Sequence, residues 1–158
     1  MRVAILTISD SVHAGTRSDL SGPALNERCR ERGWQVLATH VAPDEAALIQ
    51  ARLIEVADSG LVDLILTSGG TGIGPRDVTP EATQGVCTKL VPGISEVMRE
   101  TGRRHNPRAA LSRGITGVRG RTLVVNLPGS PRGAVESLDA VADLLPHAVE
   151  VLHGARHD

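Results

Sequence analysis

At 158 residues, with 41% hydrophobic residues and a formal net charge of -1, the chain is expected to form one domain over residues 1–158, with no charge argument for a nucleic-acid or membrane partner. It has no Phe or Tyr and only Trp34, so its core must be aliphatic and the stacking platforms for single-stranded nucleic acid are missing. No apolar run approaches the roughly twenty residues of a membrane span, and Cys29 and Cys87 lack motif spacing, so reduced thiols in a cytoplasmic protein are expected.

The first apolar run, residues 3–8, is too short and too weakly flanked for a signal peptide and reads as a strand. Residues 23–32 read as a helix, with Ser21 near its start and Gly33 ending it. A second strand follows at 35–41. Residues 44–59 then place Ala46, Ile49, Leu53 and Val56 on one face against Glu45, Arg52 and Glu55 on another, an amphipathic helix. Residues 62–67 form the third apolar run. The helical spacing recurs at Ile94, Val97, Met98 and Thr101, and again at Ala134, Leu138, Val141 and Leu145. Between them, 114–119 read as an edge strand and 122–127 as the last buried strand. The alternation predicts a three-layer α/β/α fold with a mostly parallel sheet. The histidines do not cluster; His153 and His157 are four apart near the C-terminus, and no zinc site is expected.

In such a sheet the loops at the carboxyl ends of the strands converge on a ligand crevice. Four of them carry polar chemistry here: Ser9-Asp10-Ser11, Ala42-Pro43-Asp44, residues 68–79, and Pro128-Gly129-Ser130-Pro131-Arg132. The third is the richest. Gly69, Gly70, Gly72 and Gly74 permit tight turns and expose backbone N–H groups that suit phosphate. Thr79 is the expected N-cap of the next helix, with Pro80 at its first position and Glu81 in its first turn. The loop fits neither a P-loop nor G-x-G-x-x-G. Asp77, expected to be buried, is read as a carboxylate for magnesium beside phosphate, against the alternative of a turn residue. Asp44, on spacing alone, is an N-cap. Asp10 suits ribose hydroxyls, magnesium or its own loop's N–H groups. Ser130 is placed at a helix N-terminus that suits phosphate.

Taken together, Thr67-Ser68-Gly69-Gly70-Thr71-Gly72, Arg76-Asp77-Val78-Thr79-Pro80-Glu81-Ala82, Leu111-Ser112-Arg113 and Leu127-Pro128-Gly129-Ser130-Pro131 resemble the MogA/MoaB family of molybdenum-cofactor biosynthesis. Ile8-Ser9-Asp10-Ser11 and Val41-Ala42-Pro43-Asp44-Glu45 extend the resemblance over nearly the whole chain. It implies molybdopterin adenylyltransferase activity, with ATP as co-substrate and magnesium assisting. An inactive MoaB-type carrier or scaffold is the alternative. The family's catalytic aspartates match Asp44 and Asp77, which replaces the cap reading of Asp44 and makes both the candidate magnesium ligands. Ser68, Gly69, Gly70, Thr71, Gly72, Thr79, Ser112 and Arg113 are implied on the pterin side. Ser9, Asp10, Pro128, Gly129 and Ser130 are implied on the nucleotide side. The family also implies a homotrimer and a downstream molybdate-insertion protein as partner.

Overall fold

A computed structural model describes residues 1–155. Six strands form one sheet in the order β2-β1-β3-β6-β5-β4, where β1 is Arg2–Ile8, β2 Gln35–Ala42, β3 Leu64–Ser68, β4 Lys89–Leu90, β5 Thr116–Arg119 and β6 Thr122–Leu127. The first four strands in that order run parallel, β5 pairs antiparallel with β6 and β4 antiparallel with β5, which matches the expected fold class; the strand expected at the edge, β5, has β4 outside it. The two-residue β4 was not foreseen; Gly117 admits it, since a Cβ there would meet Cys87 Sγ at 2.7 Å.

The inner strands β1, β3, β5 and β6 are buried on both faces, so their side chains divide by period two between two cores, whereas β2 at one edge alternates exposed with half-buried residues and β4 at the other is exposed. Val3, Ile5, Leu64, Leu66, Leu123, Val125 and Leu127 pack on one face with α2 (Ser21–Glu31), α5 (Pro92–His105), α6 (Pro131–Val141) and α7 (Leu145–Leu152). Ala4, Leu6, Ile8, Ile65 and Val124 pack on the other with α3 (Ala46–Asp58) and α4 (Thr79–Val86). A one-turn α1, Asp10–His13, follows β1 directly.

Several helix boundaries differ from the sequence reading. The helix expected to run to Leu145 stops at Val141 and restarts at Leu145, because Pro146 has no N–H to continue the ladder and serves as an early residue of α7 instead. Helix α3 starts at Ala46 rather than residue 44; Ala46 is exposed, and Ile49, Leu53 and Ala57 form its buried stripe. Helix α2 begins at Ser21, where Asp19 accepts from the Gly22 N–H at 3.0 Å and from the Thr7 hydroxyl at 2.8 Å. His157, of the spaced histidine pair, lies outside the described residues.

Candidate active site

Because β2, β1, β3 and β6 are parallel, their carboxyl ends bring the four expected loops to one edge. Backbone groups take part in several of the contacts between these loops. Gly69 N–H donates to Leu127 O at 3.1 Å and Ser9 N–H to Ala42 O at 2.9 Å, while the Ser68 hydroxyl donates to Pro128 O at 2.9 Å. Gly69 and Gly70 have φ of +108° and +66°. A Cβ on Gly69 would collide with Ile8 O, so glycine is what lets the loop cross the end of β1. Gly129 is similarly close, within 3.3 Å of the Gly69 Cα if it carried a Cβ.

Thr79 is not the N-cap of α4. Val78 holds that position, and the buried Thr79 turns its hydroxyl back to donate to Gly69 O at 2.9 Å, with its N–H on Gly70 O at 3.1 Å. The Gly-rich loop is thereby closed at its base by the residue that starts the helix. Asp77 is half-buried rather than buried. Its Oδ2 accepts from the Gly74 N–H at 2.9 Å, and Cβ atoms on Gly72 or Gly74 would approach that oxygen to 2.8 and 2.9 Å. Those two glycines leave the space the carboxylate fills.

Asp44 is not a cap either. Asp10 N–H donates to Asp44 Oδ2 at 2.9 Å and Asp44 N–H donates to Asp10 Oδ1 at 3.0 Å, a reciprocal bracket between the ends of β1 and β2. Arg76 closes over it with a two-pronged pair to Asp10, both bonds at 3.0 Å. This bond to Arg76 holds the Asp10 carboxyl below the usual carboxylate range, with the Asp44 contact helping. Burial pushes Asp44 the opposite way. The Asp10 N–H opposes that rise, and the negative charges of Asp10 and Asp77 add to it. Two carboxylates in the same crevice are thus driven apart in acidity.

Magnesium takes hard oxygen ligands and is usually held by one or two carboxylates plus phosphate and water. Among the described residues no set of three or more His, Cys, Asp or Glu is arranged to hold a metal. Asp10 is committed to Arg76 and Asp44, whereas Asp44 Oδ1 and Asp77 Oδ1 accept no protein hydrogen bond among the described residues. The donor set fits a magnesium ion that arrives with phosphate ligands of its own.

On the other side of the Gly-rich loop lies a cavity of about 470 Å³, walled by α5, the 3-10 turn Pro107–Leu111, the N-terminus of α6 and the end of β6. Thr71, Gly72, Ser112, Pro128 and Ser130 line it, while Asp10, Asp44 and Asp77 do not. Gly72 therefore stands between the cavity and the Asp77 carboxylate. Ser130 caps α6 as expected, accepting from Gly133 N–H at 3.0 Å, and Ser9 caps α1, accepting from Val12 N–H at 3.3 Å. Ser112 Oγ accepts from Gly114 N–H at 3.4 Å.

Two further contributors went unread in the sequence. Asn126 lies under the cavity, donating to the Thr67 and Thr83 hydroxyls at 3.0 and 2.9 Å and accepting from Ile115 N–H at 3.2 Å. A lone amide in an otherwise apolar strand was the available signal. Arg99 lines the cavity and donates to Gly114 O at 2.8 Å; nothing in the helical spacing of α5 distinguishes it from a solvated charge.

Residues 4–147 match the family model described as "Probable molybdopterin binding domain". The chain is 40% identical over 156 residues to the molybdopterin adenylyltransferase of Helicobacter pylori strain J99, covering 98% of this chain and 89% of the relative. It is 34% identical over 174 residues to the Escherichia coli K12 protein of the same name, with 98% and 86% covered. The crystal structure of the molybdopterin biosynthesis enzyme MoaB from Thermus thermophilus superposes with a TM-score of 0.92 at 50% identity, covering 99% of both chains.

Proposed function

We propose that this chain, which belongs to the MogA/MoaB family of molybdopterin-binding proteins, is a molybdopterin adenylyltransferase. The terminal phosphate of molybdopterin attacks the α-phosphorus of ATP; the bond from that phosphorus to the bridging oxygen breaks, and pyrophosphate leaves. The observation that carries the reading is the meeting at Gly72 of a cavity of about 470 Å³ and an acidic crevice, in a chain so similar to relatives bearing that name.

In this reading the whole chain, residues 1–158, acts as one molybdopterin-binding domain. The pterin occupies the cavity, with its phosphate against Thr71, Gly72 and Ser112. The nucleotide lies across Ser9, Asp10, Pro128, Gly129 and Ser130, where the N–H groups of α6 favour anionic oxygens. Both reactants are anions, so the crevice must lower their repulsion and orient them in line. Asp44 and Asp77 would hold magnesium, whose charge offsets that of the phosphoryl oxygens when bound. Asp10 fixes Asp44 by the reciprocal bracket and is kept ionised by Arg76. Ser68 and Thr79 hold the glycine backbone in place. The same reading takes in a homotrimer, a cytoplasmic location and a downstream molybdate-insertion protein; among the described residues no helix is long and apolar enough to cross a membrane.

The test is a single-turnover reaction with anaerobically prepared molybdopterin, ATP and magnesium. Adenylylated pterin and pyrophosphate should form in equal amounts. Molybdopterin bound with no product would favour the carrier.

A further inference from the structure

We propose that Arg113 is a positioning residue: its guanidinium clamps both ends of the 72–77 loop and so holds the Asp77 carboxylate in place, rather than binding the pterin phosphate itself. The inference rests on the transferase reading above.

The donors are nearly all committed. Nε donates to Gly72 O at 2.8 Å, Nη2 to Asp77 O at 2.9 Å and to Glu81 Oε2 at 3.5 Å, and Nη1 to Glu81 Oε1. A guanidinium has five N–H donors, so one remains for anything else. The backbone follows the same pattern, with Arg113 N–H on Thr71 O at 2.8 Å. One rigid plane therefore holds the carbonyls that begin and end the loop, and between them the Gly74 N–H meets Asp77 Oδ2. Glu81, in the first turn of α4, holds the plane from the helix side and is not part of the cavity wall.

The clamp also joins the two halves of the site. Ser112 and Gly114, on either side of Arg113, line the cavity, and Arg99 grips Gly114 O from α5. A lysine cannot replace this device, because a point ammonium lacks the fork that reaches two carbonyls and a carboxylate together.

Arg113→Lys and Glu81→Ala would be compared with the unsubstituted chain in three measurements: kcat for adenylyl transfer, the Kd for molybdopterin, and hydrogen exchange of the Gly74 amide. Small displacements of a positioning group can cost up to about 100-fold in rate. Arg113→Lys should lose about 10- to 100-fold in kcat, on that scale, while the molybdopterin Kd changes less than about threefold. Glu81→Ala should lose less, in the same direction, and Gly74 exchange should quicken in both variants. A molybdopterin Kd weakened tenfold or more with kcat retained, on the order of one lost phosphate contact, would overturn the proposal in favour of a substrate ligand. Normal kcat in Arg113→Lys would overturn it as well. Should Arg113→Lys fail to fold, Glu81→Ala at its exposed site decides in the same way. Absence of product from the unsubstituted chain would fault the transferase reading instead; Gly74 exchange then judges the clamp alone, and unchanged exchange in the variants overturns it.

Discussion

Gly70→Ala should destabilise the protein far more than a glycine replacement of equal backbone geometry elsewhere. At φ +66° a side chain enters the left-handed region, which costs about 1–2 kcal/mol. The new Cβ would also collide with Thr79 Oγ1, and that hydroxyl is buried and bonded to Gly69 O. Driving it aside leaves a buried donor and acceptor unpaired, for about 1–3 kcal/mol more. The total, about 2–5 kcal/mol, is a large share of the roughly 5–15 kcal/mol typical of a domain. Gly60→Ala is the reference: its φ is +70° and nothing lies within 4 Å of the added Cβ, so about 1–2 kcal/mol is expected. Urea denaturation at constant m-value reads both. In a Thr79→Ala background the Gly70→Ala cost should fall towards that of Gly60→Ala. If Gly70→Ala costs no more than Gly60→Ala in the native background, the account of how Thr79 closes the loop is wrong.

Asp44 titrates above the usual carboxylate range, so its native form binds more protons than the unfolded chain in the window between the ordinary and the raised value; it lowers stability as pH climbs through that window. Asp44→Asn keeps an amide oxygen for the Asp10 N–H, and should raise the denaturation midpoint at pH 7 while removing turnover; a lowered midpoint would contradict the desolvation argument. By the same reasoning the acid limb of kcat/KM should sit above the ordinary carboxylate pKa, read from a pH–rate profile. Asn126→Ala removes the donor to the buried Thr67 and Thr83 hydroxyls and the acceptor of the half-buried Ile115 N–H, and should cost about 1–3 kcal/mol in urea denaturation; a change under about half a kilocalorie, roughly the size of surface effects, would argue against the network.

Much of this was legible in the sequence because its signals were local. The apolar runs marked strands β1, β2, β3 and β6, and their alternation with amphipathic segments indicated a parallel sheet with loops on a common edge. Gly69 and Gly70 announced a turn that only glycine permits. What the chain concealed was the pairing of distant residues. Asp44 precedes a helix and reads locally as a cap, yet its side chain goes to Asp10, a partner 34 residues away that no periodicity specifies. Thr79 likewise has every local mark of an N-cap, but Gly69 O lies within its reach and takes the hydroxyl instead. Arg113 is marked by the family resemblance, but nothing local pairs it with Glu81 or pairs Arg76 with Asp10; the fold brings those partners to them. The break between α6 and α7 was readable at Pro146, and was hidden only by a hydrophobic spacing that continues across it.

Adenylyl transfer at the Asp44–Asp77 crevice is read most directly by pyrophosphate release from molybdopterin, ATP and magnesium by the unsubstituted chain and by Asp77→Asn, with molybdopterin binding followed in parallel. The unsubstituted chain should release pyrophosphate, Asp77→Asn should lose at least about 100-fold on the scale of a removed charge-stabilising group, and both should bind the pterin similarly. Equal release from both chains, or none from either while pterin still binds, would contradict transfer at that crevice.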